Sequence, residues 1–194
     1  SFCFIDFDDP TVFANELTTA EIEKLTKSVG KSLQNINITG GEPFARKDLN
    51  DILNLYYSNT NIRSAFITTN GSLPDRVEKL CIDKDNNFSD RLLFFQISID
   101  ALPPEHNRIR KINGLFEKAI ESYKIATMFS PHIQASIAIT ISSENFMLAN
   151  DVYDYLTTKH KVKNIALNVV RDEGIYKVPI DEKEAILSTY SSLS

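Results

Sequence analysis

Hydrophobic and polar positions along the chain follow two alternating periods. Short β-branched or aromatic runs predict strands, and apolar residues three or four positions apart predict helices. Five strands are predicted, over residues 35–39, 62–69, 91–99, 133–141 and 162–170. Six helices are predicted, over residues 18–33, 48–58, 74–86, 116–129, 144–158 and 181–191. Strict alternation of helix and strand indicates parallel strands joined by right-handed crossovers.

This order of elements limits the architecture. The strands are apolar on both faces, as expected where helices or a barrel interior cover them. Five strands are too few for a closed eight-stranded barrel. The pattern therefore favours an open doubly wound sheet or a partial barrel. Since no linker or low-complexity tract interrupts the chain, we expect residues 1–194 to form one domain.

Composition and charge are those of an ordinary soluble protein. Hydrophobic residues make up 42% and charged residues 24% of the chain. The net charge of −5 argues against a nucleic-acid-binding surface. No apolar run approaches the roughly 18 residues of a membrane span. Because Cys3 and Cys81 cannot form a disulfide framework and no basic leader opens the chain, we expect a cytoplasmic protein. The missing initiator Met suggests a fragment of a longer chain.

Polar residues and glycines follow the carboxyl end of every predicted strand. In parallel α/β proteins these ends meet at one edge of the sheet, where ligands bind. The five segments are Thr39-Gly40-Gly41-Glu42-Pro43, Thr68-Thr69-Asn70-Gly71, Ser98-Ile99-Asp100-Ala101, Thr140-Ile141-Ser142-Ser143-Glu144-Asn145 and Asn168-Val169-Val170-Arg171-Asp172-Glu173-Gly174. We therefore expect a concave, polar, ligand-binding face. Helix caps and turns are an alternative explanation for Ser143 and Asn145.

Other common motifs lack support. The chain has no dinucleotide-binding or phosphate-binding glycine loop. The three histidines, at positions 106, 132 and 160, show no zinc-ligand spacing. His106, in the polar stretch after Asp100, is interpreted as a solvated loop histidine. Cys81, within a helical pattern, is interpreted as a small core residue.

The Gly40-Gly41-Glu42-Pro43 segment after a strand resembles the GGEP motif of the radical S-adenosylmethionine (radical SAM) superfamily. The resemblance extends over nearly the whole chain, and the order and spacing of its pieces make it specific. Further matching segments are Ser1-Phe2-Cys3-Phe4, similar to the end of the family's cluster-binding loop, Glu16–Ile22, Thr68–Gly71, Ser98–Ala101, Arg108–Phe116 and Asn168–Arg171.

The resemblance implies an α/β fold, a partial (β/α)6 TIM-like barrel of parallel strands. It also implies an iron–sulfur, oxidoreductase-like enzyme. In this family three cysteines hold a [4Fe–4S] cluster, and SAM chelates the open iron. Reductive cleavage of SAM gives a 5′-deoxyadenosyl radical, which abstracts hydrogen from a substrate. Here the substrate is unknown, a peptide or a small metabolite. The electron donor is expected to be a flavodoxin or a ferredoxin.

The resemblance also implies roles for individual residues. Backbone groups of Thr39, Gly40 and Gly41, with Glu42 close by, would receive the SAM amino group. Ser98 and Asp100 would approach the ribose or the carboxylate, and Arg110 would pair with the carboxylate. The remaining expected contacts are Asn70, Thr140, Ser142, Asn168 and Arg171. Alternatives stay open: Ser98 and Asp100 as strand-end caps, Arg110 as a solvated ion pair, and Arg171 paired with Asp172 or Glu173.

The departure from the family pattern concerns the cluster. Cys3 matches the third cysteine of the motif, and the other two would precede Ser1. The 194 residues are therefore expected to be a truncated core that lacks the first strand and most of the cluster loop and is inactive by itself. Residues 35–39 would then form an exposed sheet edge. The alternative function is a non-catalytic binding or interaction domain that keeps the fold without a cluster.

Overall fold

The computed structural model describes residues 16–171 and 178–193. These residues form five strands: β1 (Asn35–Ile38), β2 (Ser64–Thr69), β3 (Leu92–Ser98), β4 (Ile133–Ile141) and β5 (Ile165–Val169). They also form seven α-helices: α1 (Thr19–Val29), α2 (Leu49–Asn59), α3 (Pro74–Asn87), α4 (Pro103–Arg110), α5 (Leu115–Met128), α6 (Ala149–Thr158) and α7 (Ile180–Leu193). Short 3-10 turns cover Gly30–Ser32, Pro43–Ala45 and Phe146–Leu148.

The strands form one open sheet in the order β1-β2-β3-β4-β5, and every neighbouring pair is parallel. This confirms the predicted α/β class and agrees with a partial TIM-like barrel. Within the described residues, β1 and β5 are the edge strands, which agrees with the sheet edge expected at residues 35–39. No helix in the described ranges is long and apolar enough to cross a membrane.

The two faces of the sheet differ in polarity. One face carries buried apolar side chains that pack against the helices, including Ile67, Phe95, Ile97 and Ile137. Burying such side chains supplies the main driving force for folding. The alternate positions form the opposite face, which is more exposed and carries Asn37, Thr68, Gln96 and Ser136. Phe66 and Phe94 stack on each other on this polar face, 4.7 Å between ring centroids.

The capping box predicted at the first helix is present. The Thr18 hydroxyl accepts a hydrogen bond from the Glu21 backbone, and the Glu21 carboxylate accepts one from the Thr18 backbone at 2.8 Å. These bonds satisfy amide groups that the first helical turn would leave unpaired. Cys81 is fully buried in the core, as predicted.

Three sequence-based predictions are wrong near the third and fourth strands. Residues 103–110 form helix α4, although their pattern was interpreted as a loop. His106, interpreted as solvated, lies on the inner side of this helix and is fully buried. The predicted helix 144–158 is also divided, since a 3-10 turn precedes α6. Pro103 and Pro104 at the start of α4 hide the helical signal, because proline fits only the first turn of a helix.

Candidate functional site

The carboxyl ends of the five strands and the residues that follow them lie along one edge of the sheet, which we call the rim. The rim comprises residues 39–43, 69–71, 98–101, 140–145 and 168–171. Such an edge is where ligands bind in open parallel sheets. The predicted rim positions within the described residues therefore lie on the same side of the molecule, and their side chains differ in the hydrogen bonds and ion pairs that they form. Asp172, Glu173 and Gly174 of the predicted fifth segment lie outside the described residues.

The loop after β1 exposes its backbone. Thr39, Gly40 and Gly41 are all solvent-exposed. Gly40 has a φ of +143°, which L side chains rarely adopt, and no described atom lies within 4 Å of the position that a Cβ would take. A glycine in this conformation lets a ligand approach the main chain closely. The loop thus presents peptide groups, with little side-chain bulk around Gly40, to the space above the sheet.

Glu42 ties this loop to the end of β2. Its carboxylate accepts hydrogen bonds from the Thr69 hydroxyl at 2.6 Å, the Asn70 amide at 2.7 Å and the Phe44 amide at 3.0 Å. Burial raises the pKa of Glu42 above its usual range, and the three hydrogen bonds oppose that shift. Glu42 therefore caps the Pro43–Ala45 turn and links the loop after β1 to the loop after β2.

The loop after β2 is packed rather than open. The Asn70 side chain accepts a hydrogen bond from the Ser72 amide at 2.8 Å, which closes an Asx turn. Gly71 has a φ of +72°, and a Cβ there would lie 2.8 Å from the Cα of Ala119 in α5. The Gly71 carbonyl accepts a hydrogen bond from the buried Ser122 hydroxyl at 2.9 Å. Gly71 thus serves close packing between loop and helix.

Asp100 forms the second tie along the rim. Its side chain is fully buried; one oxygen accepts the Thr140 amide at 2.9 Å, and the other forms an ion pair with Arg110. The Asp100 carbonyl accepts a hydrogen bond from Asn145 at 2.7 Å. Arg108, two residues from Arg110, pairs with Glu105 on the surface instead. Of the two arginines, Arg110 is thus the one that reaches the rim.

Asn145 holds the loop after β4 in place. It is buried, its side-chain oxygen accepts the Ser142 amide at 2.8 Å, and its amide group donates to the Thr140 carbonyl at 2.9 Å. The Ser142 hydroxyl accepts a hydrogen bond from the Glu144 amide at 3.3 Å. This geometry is the turn role that the sequence left open for Asn145. Ser142 is likewise buried within the turn.

His106 lies beneath the Asp100 loop. Its Nδ1 accepts a hydrogen bond from the Asp100 amide at 3.3 Å, so its proton is on Nε2, and its ring packs edge-on against Phe116. Burial lowers the pKa of His106 to about 4, although the nearby Asp100 charge opposes that shift. A neutral imidazole therefore supports the Asp100–Arg110 pair from below.

The remaining predicted site residues lie at the β3–β5 part of the rim. Ser98 and Thr140 are half-buried, and Asn168 and Arg171 are exposed. Thr140 is the register partner of Asn168 across β4 and β5. The structure thus brings together Glu42 with Asn70, and Asp100 with Arg110 and Thr140. Sequence reasoning placed Thr69 on the rim but gave it no role of its own, although its position directly before Asn-Gly at a strand end was an available signal.

The described residues contain no group of three or more His, Cys, Asp or Glu side chains that could hold a metal ion. Cys3, the predicted cluster ligand, lies outside the described residues. Burial raises the pKa of Cys81 to about 12, so this core thiol stays protonated at neutral pH and is a poor metal ligand. The polar side chains and backbone groups of the rim are therefore the candidates for ligand contact at the strand ends.

Comparison with known protein families gives one match. A family model described as the Radical SAM superfamily matches residues 1–146, which is 146 of the 194 residues. The matched region begins at Ser1 and includes β1 to β4, with the rim loops that contain Gly40, Glu42 and Asp100. It ends at Phe146, so α6, β5 and α7 lie beyond it.

Proposed function

The chain belongs to the radical SAM superfamily, and on that premise we propose that it forms the SAM-binding core of an enzyme that abstracts hydrogen from its substrate. The superfamily suggests cleavage of SAM at a [4Fe–4S] cluster. The proposed substrate is a peptide or a small metabolite, and the proposed electron donor is a flavodoxin or a ferredoxin.

The observation that carries this proposal is the exposed main chain at Thr39, Gly40 and Gly41. Carbonyl oxygens in such a loop can accept hydrogen bonds from the amino group of SAM. The open space beside Gly40 leaves room for that approach. Glu42 acts here as a positioning residue, because its carboxylate is engaged by Thr69, Asn70 and Phe44.

A second part of the proposal concerns the SAM carboxylate. Arg110 keeps 22% of its side chain exposed while it pairs with buried Asp100. The ion pair fixes the guanidinium at the rim, and a guanidinium is well suited to binding a carboxylate. We therefore assign Arg110 to the SAM carboxylate and Asp100 to the positioning of Arg110. Ser98, Thr140, Asn168 and Arg171 are assigned to the ribose and adenine side or to the substrate.

The cluster and SAM together would supply a 5′-deoxyadenosyl radical when bound. Cys3 is the proposed ligand from this chain, on the resemblance of Ser1-Phe2-Cys3-Phe4 to the cluster loop. The described residues would bind and orient SAM and the substrate. The glycine loop, Thr39 to Gly41, lies at one end of the rim, Arg110 lies near its middle, and the polar residues of β4 and β5 lie at the other end. Holding reactive groups in a fixed orientation is the usual role of the protein in cofactor enzymes.

The first experiment measures SAM binding to Gly40→Ala by equilibrium dialysis. We expect binding to weaken by roughly tenfold or more, because a side chain and a strained backbone replace the open loop. Gly30→Ala is the matched control: Gly30 also has a positive φ of +55° and open space, and it ends α1 away from the rim. Equal SAM affinity for the two variants would contradict the proposal.

The second experiment addresses the cluster. The protein translated with its upstream coding sequence is purified without oxygen, and its visible absorbance and the reductant-dependent formation of 5′-deoxyadenosine are measured. We expect a [4Fe–4S] spectrum that Cys3→Ala removes. A Cys-x3-Cys missing just upstream of Ser1, together with no cluster absorbance, would favour the alternative of a non-catalytic binding domain.

A further inference from the structure

A cavity of ≈ 150 Å³ lies between the Pro43–Ala45 turn and the N-terminal halves of helices α2 and α3. Four basic side chains line it: Arg46, Lys47, Arg76 and Lys79. We call it the cationic cavity. Its volume matches about five water molecules in the liquid, enough for a small polyatomic anion.

The basic side chains of this cavity are only partly neutralised. Arg46 pairs with Asp48 at 2.7 Å and lies 3.5 Å from Glu16. Among the described residues, Lys47, Arg76 and Lys79 have no acidic side chain within ion-pairing distance. This local excess of positive charge stands out on a chain whose net charge is −5.

Arg76 is fixed in place before any ligand binds. One of its terminal nitrogens donates to the Phe44 carbonyl at 2.5 Å and to the Ala45 carbonyl at 3.2 Å. These bonds hold the guanidinium against the turn, and its other N–H groups have no hydrogen-bond partner in the described part of the chain. A guanidinium held this way loses little freedom when it binds an anion.

The start of α2 adds a further favourable contribution. Leu49 and Asn50, its first two residues, line the cavity. The Asp48 carboxylate makes no capping hydrogen bond to this helix, because it is engaged by Arg46 and by the Thr19 hydroxyl at 2.5 Å. Uncapped amides at a helix start favour an anion.

We propose that the cationic cavity binds a phosphate group, either free phosphate or the phosphate of a small phosphomonoester. One concave site is lined by two basic residues that precede α2, two basic residues of α3 and the first two residues of α2, and it suits a compact, multiply charged anion better than an extended acidic surface. The site is separate from the proposed SAM site and does not depend on it. The two sites are connected through Phe44. Glu42 accepts a hydrogen bond from the Phe44 amide, and Arg76 donates one to the Phe44 carbonyl.

The test is calorimetric titration of the 194-residue chain with inorganic phosphate and with O-phosphoserine, at constant ionic strength and without SAM. We expect saturable binding of at least one of the two. Binding of phosphate alone identifies the free anion, and tighter binding of phosphoserine identifies a phosphomonoester. The double variant Lys47→Gln/Lys79→Gln should weaken binding by roughly tenfold or more, because two charged donors are lost.

The matched control is Lys31→Gln/Lys118→Gln, which removes two exposed lysines of α1–β1 and α5 and the same total charge. It should keep the wild-type affinity. Arg76→Gln should weaken binding as well, and the lysine variants keep the test decisive if this variant does not fold. Three results would overturn the proposal: no saturable binding of either anion, equal losses in the two double variants, or tighter binding of a polyglutamate peptide than of both phosphate compounds.

Discussion

In each half of the rim, a carboxylate links two neighbouring loops by hydrogen bonds. The two halves differ in which groups remain accessible to solvent. In the first half, Glu42 joins the loops after β1 and β2, while Thr39, Gly40 and Gly41 remain exposed. In the second half, Asp100 joins the loops after β3 and β4, and Asp100, His106, Ser142 and Asn145 are all buried.

The difference shows that a polar residue at a strand end has two distinct uses. A carboxylate whose oxygens are taken by neighbouring amides and hydroxyls stabilises the loops and does not reach a ligand directly. In the proposed site, ligand contact then falls to the groups that these hydrogen bonds leave accessible. In the first half those groups are backbone atoms, and in the second half the accessible group is Arg110, held by the buried Asp100.

The largest expected effect comes from replacing Asp100, which links the loops after β3 and β4. Asp100→Ala should lower the free energy of unfolding by about 3–5 kcal/mol, the usual cost of removing one member of a buried ion pair. Urea denaturation measures the change. Asp100→Asn, which keeps an oxygen for the Thr140 amide, should cost less. If Asp100→Ala cost no more than Glu42→Ala, the two halves would not differ in the way described.

The next effect concerns Gly71 in the first half, with Gly114 at the start of α5 as its matched control. Gly71→Ala should cost about 3–4 kcal/mol, because a positive φ and a clash with Ala119 add together. Gly114→Ala has a similar φ of +66° with open space around it, and it should cost only about 1 kcal/mol. Thermal unfolding of both variants measures the packing contribution. Equal costs would mean that Gly71 is needed for its backbone conformation alone.

The pH dependence of stability tests the contribution of His106, the buried histidine of the second half. In the folded state its pKa is about 4, against 6.5 for an unperturbed histidine, so between these values the unfolded chain binds the extra proton. The stabilisation is present above pH 6.5 and is lost as the pH falls to about 4, by about 3 kcal/mol in total.

His106→Asn is the matched variant for this pH dependence, because its side-chain oxygen can still accept the Asp100 amide. Its unfolding free energy should change little between pH 6.5 and 4 on this account. The groups that face His106 are Asp100, Arg110 and Glu117, and they remain in the variant. A wild-type pH profile that matches the variant's would contradict the assignment to His106.

The smallest expected effect comes from replacing Glu42, which links the loops after β1 and β2. Glu42→Ala should lower the free energy of unfolding by about 2 kcal/mol, since three hydrogen bonds are lost at a site that water can reach in part. Glu42→Gln keeps one acceptor oxygen and should cost about half as much. Amide hydrogen exchange at Asn70 should rise in both variants. Unchanged exchange there would argue against a link between the two loops.

Much of the fold was predictable from the sequence. All five strands and six of the seven helices were predicted, with boundaries close to the observed ones. Buried strands and amphipathic helices impose periods on the local sequence, and β4 was predicted at its observed bounds of Ile133 to Ile141. Helix α4 was missed because it is short and opens with two prolines, and because its one buried residue, His106, gives no apolar stripe.

The candidate site was predictable only as a set of positions. The sequence placed Glu42 and Asp100 on one rim, because strand ends in a parallel sheet share an edge, whereas Arg110 was assigned only through the family resemblance. It could not show which polar groups bind one another. Asp100 meets the Thr140 amide 40 residues away, and Glu42 meets Thr69 27 residues away. Such contacts depend on loop geometry, which local patterns do not specify.

The order of the strands also has a consequence for how the chain folds. Each strand pairs with the next one in sequence: Asn35 meets Ser64, Ser64 meets Leu92, and Ile137 meets Ile165. The remaining pairing, Leu93 with Ile133, closes a longer loop than these three. Because the entropic cost of closure grows only with the logarithm of loop length, the cost of adding a strand is still nearly the same at every step. A nucleus formed at the central β2–β3–β4 strands can grow toward either edge, one βα unit at a time, without undoing an earlier pairing.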